Sequence, residues 1–563
     1  MQSFLTRRRW WIGGAITAVL VATGVAVLLP PVLERAVRER IESAAARHGM
    51  VARIGSVHVG LWPFVRLEEF ELDLSHEVRL HADSIAATYP GRLRLAVRSA
   101  HLVGPAGVAV SSPATAWDVS GIRDDNPVFT LVEPQDGLTI RKLADPAGSG
   151  WNVEARGLDM SHLLDVRREG YPLLDGGVAD GRVDLRTSTD ALRFHIDVGA
   201  RGARFRALAD SSGDERQLAD PTDVTLRFDG AWQRAEGTIE IPAIHGTLAG
   251  AELSGSITLR DIDTDPGADV TLRVRQLEFG RMLGAAGLAM PDSLRMAPGG
   301  GADLGSASIE VRARGRASVP AALVVTQKIE FKPPRPMPPA ISRLRGDFVF
   351  RSDDGPGAHR PIEVSPSSPD FIALRDVPPL FVRTLLLSED AGFYGHRGID
   401  LRELPAALLT NWSRGGAARG ASTISQQLAK NLFLSRDKEV GRKLQELAIT
   451  FMLESALGKD RILEIYLNVI EWGPGLRGLR PAAHHYFGRE PEALTPAEMA
   501  FLVAIIPGPI KYQSSIARGT PSPGLRVLID NLLAKLRSVE AIDEEEYQRA
   551  LGEPIFVEGR QPG

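Results

Sequence analysis

The chain contains no cysteine in 563 residues. A disulfide scaffold, a thiolate nucleophile and cysteine-ligated zinc are therefore excluded, while the compartment is left open. Excess charge of either sign is also lacking. Lys and Arg number 66 against 70 Asp and Glu, a formal net charge of −4. So small an imbalance gives no reason to invoke nucleic acid. Dedicated metal-ligand spacing is absent too. The length itself favours two or three domains and allows a large core.

A long apolar run is present near the start. Residues 1–9 end in Arg7, Arg8 and Arg9, and Trp10 to Leu29 then runs twenty residues without a charge before Pro30 and Pro31. Twenty apolar residues span a bilayer core. The arginines belong on the cytoplasmic side, and Trp10 and Trp11 fall where an interfacial belt sits. A cleaved signal peptide is the alternative. The run exceeds a usual signal core, however, and no A-x-A-like site is clear after it. The expectation is a cytoplasmic stub (1–9), a transmembrane helix (10–29) and an extracytoplasmic remainder.

Val32 to His48 has the spacing of an amphipathic helix. From Val51 the period changes to two. VRLEEFELDLS, EVRLHADSIAATY, RLRLAVRSAHLV, DVTLRFDG and DVTLRVRQLEF alternate apolar and polar residues between Gly, Pro and Ser. This predicts a β-rich, mostly antiparallel region over 32–331, with short helical pieces near Met160–Val166 and Phe279–Leu283. Its first part, a helix followed by RIGSVHVGLWPFVRLEEFELD, faintly resembles the AsmA-like envelope proteins, whose sheets form lipid-holding grooves. A spacer or protein-binding module is the other reading of the same alternation. KPPRPMPPA (Lys332 to Ala340) is a proline-rich joint, and Arg351 to Asp370 reads as a second loop, which sets a linker at 332–370. Few contacts are expected across such a joint. Beyond it the pattern is helical: a domain at 371–520 and a helical tail at 521–563. In LTPAEMAFLVAII, Thr495 stands as N-cap with Pro496 at the first helical position.

The chemistry concentrates between Leu385 and Asn431. LLLSEDAGFYGHRGID places two carboxylates, Glu389 and Asp390, after an apolar run, with Phe393, His396 and Gly398 following. GASTISQQLAKN brings hydroxyls (Ser422, Thr423), amides (Gln426, Gln427) and a cation (Lys430). A carboxylate whose pKa is raised by burial or neighbours can take a proton from a sugar hydroxyl. Hydroxyls, amides and a lysine suit a phosphate. RKLQELAITFMLE (Arg442 to Glu454) and KDRILEIYLN (Lys459 to Asn468) follow in order. In the first of these, Arg442, Lys443 and Glu446 can share one helical surface.

These four ordered motifs resemble the signatures of the peptidoglycan glycosyltransferases, glycosyltransferase family 51. The later VIEWGPGLRGLRPAAHHYFG is similar to the monofunctional biosynthetic peptidoglycan transglycosylase branch. The resemblance covers roughly Phe371 to Tyr512 and implies a mainly α-helical, lysozyme-like domain. It implies inverting transfer from a lipid-diphosphate donor to the 4-hydroxyl of lipid II, with release of undecaprenyl diphosphate. Glu389 would be the base and Glu446 the second catalytic carboxylate. Asp390, His396, Ser422, Thr423, Gln426, Gln427, Lys430, Lys438, Arg442 and Lys443 would bind substrate. For His396 a hydrogen-bonding structural role stands beside that of a second base. Taken alone, Glu389 is also readable as a helix-end charge and Glu446 as a solvated ion pair. Ala421 stands where a glycine is usual, and Ser425 replaces the usual Thr while keeping the hydroxyl. Leu401 to Trp412 matches a segment that dips into the membrane, with a plain core helix as the alternative.

Ser435-x-x-Lys438 has SxxK spacing but lies inside these motifs, and no KTG occurs, so no transpeptidase is expected. No cofactor is required by the sequence; a divalent cation (Mg or Mn) could sit at the diphosphate. The partners implied are lipid II, the growing lipid-linked glycan, membrane lipids and, through the β-rich region, cell-wall synthesis proteins. The location implied is the bacterial cytoplasmic (inner) membrane, single-pass, with the catalytic domain on the periplasmic side. Two rivals remain: a lytic hydrolase, for which the basic set would be superfluous, and a non-enzymatic glycan- or lipid-binding protein.

Overall fold

The structure, a computed structural model, describes residues 33–46, 50–59, 64–73, 79–88, 93–103, 108–112, 114–121, 127–133, 137–145, 148–160, 165–168, 171–172, 174–205, 220–262, 264–294, 303–316, 324–351, 361–402, 422–434, 440–513 and 519–556. The expected anchor at 10–29 and most of the Leu401–Trp412 segment lie outside these residues. Among the described residues no helix is long and apolar enough to cross a membrane.

The alternating segments form a 20-stranded sheet. Most consecutive strands pair antiparallel, from Val51–Val59 with Phe64–Asp73 to Ser306–Arg316 with Val324–Lys332, while Leu93–Val103 also pairs with Thr115–Ser120 and Gly148–Asp159 with Val178–Ser188. The period of two gives each strand a wet and a dry side. In Thr222–Gln233, Asp223, Thr225, Arg227 and Asp229 are exposed, while Val224, Leu226 and Phe228 are half-buried on the other face. Register carries that face from strand to strand: Phe228 lies between Ile196 and Ile244. Helix α1 (33–46) closes one end, where Val37 and Ile41 pack against Ile54, Val57, Leu67 and Phe70. Helix α2 (Phe279–Ala285) forms where a helix was expected. Most of the second expected piece, near Met160–Val166, lies outside the described residues; Asp165–Arg168 is a strand paired with Val108–Ser112.

The proline joint is not a spacer. Pro334, Pro338 and Ala340 are buried, and Met337 packs on the main core. One hydrophobic core runs from Leu277, Phe279, Leu283 and Leu304 of the sheet region into the helical region. Phe331 stacks on Phe451 at 5.3 Å, and Phe279 sits 5.8 Å from the same ring. Polar contacts cross as well. Gln445 donates to the carbonyl of Ala289. Gln327 donates to Ile399 O at 3.0 Å and accepts from Leu401 N–H at 2.8 Å. The few contacts expected across the joint are therefore a dense interface. Alternating segments show which side of a strand is dry but not what covers it.

The helical region comprises α3 (Pro339–Ser342), α4 (Pro379–Glu389), α5 (Ile424–Phe433), α6 (Val440–Ala456), α7 (Lys459–Val469), α8 (Leu479–Phe487), α9 (Pro496–Ile505), α10 (Pro523–Ser538) and α11 (Glu544–Gly552). Helix α9 is buried from Ala497 to Ile505 and packs against α4 and α10. Thr495 caps it in a reciprocal box with Glu498, with Pro496 at its first position, as its sequence predicts.

Candidate active site

Three helix ends meet at the motif residues. Helix α4 ends at Glu389. The next residue, Asp390, turns inward: its carboxylate accepts from His396 Nε2 at 2.9 Å and from the Ile424 N–H, the first residue of α5, at 3.0 Å. A carboxylate at a helix N-terminus is doubly favoured, by the orphan N–H and by the helix dipole. Gly398 N–H donates to His396 Nδ1 at 3.1 Å. Nδ1 is thus the acceptor, and Nε2 carries the proton given to Asp390. Both side chains are essentially inaccessible, at 0% and 3% exposure. Thr423 and Gln426 form a reciprocal capping box at the start of α5, and Thr423 also donates to Gly398 O at 2.5 Å. These bonds of Asp390, His396, Thr423 and Gln426 join the end of α4 to the start of α5.

Glu389 differs. It is only partly buried, accepts from Gln427 Nε2 at 2.9 Å and from Ser388 Oγ at 3.3 Å. Burial pushes its pKa above the ordinary carboxylate value; the two donors pull the other way, and neighbouring Asp390 adds to the rise. Gln427 also accepts from the hydroxyl of Tyr466 at 2.8 Å.

Helix α6 supplies the opposite charge. Lys443 pairs with Glu446 one turn on and donates to Ser422 Oγ at 3.1 Å. Glu446 is 4% exposed, whereas Lys443 is open to solvent. Lys430, on the neighbouring face of α5, is exposed and Arg442 half-buried. Lys438 lies outside the described residues.

A second cluster lies behind these groups. Ser425 donates to Glu454 at 2.5 Å, Lys459 reaches the same Glu454 oxygen at 2.7 Å, and the Lys459 ammonium stands 4.3 Å from the centre of the Phe393 ring. One residue from each of the four motifs is joined here. Gly398, at φ +93°, lets the backbone pass where a Cβ would come within 2.7 Å of Thr450.

A family model described as Transglycosylase matches residues 359–523. The biosynthetic peptidoglycan transglycosylase of Nitrobacter winogradskyi is 38% identical over 182 residues, 32% of this chain and 78% of that one. The Chromobacterium violaceum protein of the same name is 40% identical, over 30% and 78% of the two chains. The chain belongs to the transglycosylase family. The Nitrosomonas eutropha relative is 52% identical over 132 residues, and the chain spans about half its length (54%). Penicillin-binding protein 1A from Haemophilus influenzae aligns over 37% of this chain and 20% of its own at 22% identity, with a TM-score of 0.19, too low to bear on the fold.

The transglycosylase domain thus joins Glu389 at the end of α4 to Gln427 of α5, and Lys443 of α6 to Ser422 and Glu446. Two residues were not singled out in the sequence. Tyr466 is a lone hydroxyl on the apolar face of α7, among Ile462, Leu463 and Val469, and such a hydroxyl needs a partner. Gln327 is a lone amide in the apolar row Val325, Ile329, Phe331. Asp390 is held by His396 and the α5 N-terminus, and Glu446 by Lys443. Among the described residues no three His, Asp or Glu side chains gather as a metal site.

Proposed function

We propose that this chain polymerises lipid II into glycan strands outside the cytoplasmic membrane. Glu389 takes the proton of the acceptor 4-hydroxyl, whose oxygen attacks the anomeric carbon of the donor from the face opposite the diphosphate. The bond to the diphosphate breaks, the configuration inverts, and the proton stays on Glu389. Lys443, Lys430 and Arg442 offset the charge on the departing lipid diphosphate, and Ser422 and Glu446 hold Lys443 in place. The observation that carries this reading is Glu389 itself. Its pKa is raised by burial, and its carboxylate accepts from the Gln427 amide of the second motif and from Ser388. A hydrolase would need that carboxyl to protonate a leaving oxygen and would have no use for the lysine–carboxylate–hydroxyl chain on α6.

The test is labelled lipid II with the full chain in detergent. Wild type should yield polymer, and Glu389→Gln should lower its rate at least ~100-fold, the lower range for general base catalysis. Cleaved glycan, or near-normal synthesis by folded Glu389→Gln, would sink the assignment.

A further inference from the structure

We propose that Tyr466 is a positioning residue that fixes the amide of Gln427 with its N–H toward Glu389, and so sets the pH at which that carboxylate can accept a proton. The inference rests on the reading of Glu389 as the base. An amide can sit either way round, and only its hydrogen-bond partners choose. Here the Tyr466 hydroxyl donates to Gln427 Oε1 at 2.8 Å, which leaves Nε2 to donate to Glu389 Oε2 at 2.9 Å. Turned over, the amide would press its carbonyl oxygen against a carboxylate.

Tyr466 keeps the proton that it donates to Gln427. It is fully buried, and burial with the nearby charges of Glu389 and Asp390 pushes its pKa well above the ordinary value of 10.0. It stays a phenol wherever the enzyme works. The groups acting on Glu389 are Gln427 from α5, Ser388 from its own helix and the charge of Asp390. Asp390 is held by His396 and Ile424 N–H, so it is unaffected by loss of the tyrosine hydroxyl. Of the two donors, Ser388 is the more distant at 3.3 Å. Gln427 is therefore the main support of the ionised form, and Tyr466 decides whether it gives that support.

The experiment measures the pH dependence of kcat/KM for lipid II polymerisation by the full chain in detergent. Tyr466→Phe removes one oxygen. Its acid limb should move up by roughly 0.5–1 pH unit, a loss that grows as pH falls, with KM little changed. Gln427→Met cannot donate and should move the limb at least as far. The double variant should go no further than Gln427→Met alone, because both changes act through one amide. A Tyr466→Phe limb that superimposes on wild type, or a loss equal at every pH, overturns the inference. Should Tyr466→Phe not fold, Gln427→Met alone decides, since Gln427 is only half-buried. No polymer from wild type, or full activity in Glu389→Gln, removes the reading beneath the inference and the inference with it. Those controls separate the two failures.

Discussion

Replacing one phenylalanine of the sheet region should weaken the glycosyltransferase helices. Phe279 lies well before the first motif, yet its ring is fully buried between Phe331 at 6.1 Å and Phe451 of α6 at 5.8 Å. Truncating a buried Phe to Ala costs about 3–5 kcal/mol, through lost transfer energy and the cavity left behind. That is a large part of the 5–15 kcal/mol typical of whole domains. If sheet end and helices share one core, Phe279→Ala must lower the stability of both. Native-state hydrogen exchange reads this directly. The amides of residues 448–453, buried in α6, should exchange about 10²- to 10³-fold faster, at 1.4 kcal/mol per tenfold. Polymerisation should lose heat resistance in parallel. Faster exchange confined to Gly267–Glu278 and Ser306–Arg316, with α6 unchanged, would show two independent modules and refute the shared core.

Glu389→Gln should raise the melting temperature at neutral pH while abolishing synthesis. A carboxyl whose folded pKa lies above its unfolded one binds more protons when folded, so stability falls as pH rises from the unfolded value through the folded one; the melting advantage of the variant should shrink in acid, and a lower melting temperature at neutral pH would contradict the burial argument. Gln327→Leu removes both hydrogen bonds to the Ile399–Leu401 backbone, worth roughly 0.5–1.5 kcal/mol each. It should raise KM for lipid II; an unchanged KM would mean that the bonds only secure the joint. Lys443→Ala leaves the buried Glu446 without its ammonium. Because the lysine is half-exposed, the stability cost should fall to about 1–2 kcal/mol rather than the 3–5 of a fully buried pair. Affinity for diphosphate lipids should fall more than affinity for diphosphate-free glycans, and equal losses would make the lysine structural.

The alternation in strands such as Thr222–Gln233 was legible because one face is exposed and polar and the other apolar and half-buried. Thr495-Pro496 was legible because a cap is a local device. The joint was misleading for a physical reason. Proline disfavours regular structure in the chain that carries it, but Pro334 and Pro338 are also apolar, and here they are buried against a core that the local sequence does not mention. The site residues were recognisable as a set, but not by role. An Asp, a His, a Thr and a Gln look alike as ligands and as fasteners. Only the inward pairing of Asp390 with His396, and of Thr423 with Gln426, separates them from Glu389 and Lys443. Ser425 shows the same point from the other side. Its hydroxyl serves Glu454 in the frame.

That frame explains why the site needs motifs of many residues rather than a few charges. Glu389, Ser422 and Lys443 come from separate segments, and a displacement of about 1 Å can cost ~100-fold in rate. Their positions are fixed from behind by Asp390 at the N-terminus of α5 and by the Ser425–Glu454–Lys459 cluster under Phe393. Asn468 adds a second brace, bonding both backbone groups of Ile372 at 2.9 Å. Helix α6 is central to all of this. Its first turns carry Lys443 and Glu446, its far end carries Glu454, and between them Gln445 and Phe451 face the sheet region. A shift of the sheet end relative to the helices would therefore be felt at Phe451 and at Lys443 through one rigid helix. The sheet region is part of what holds the site in shape, whatever else its half-buried apolar face contacts.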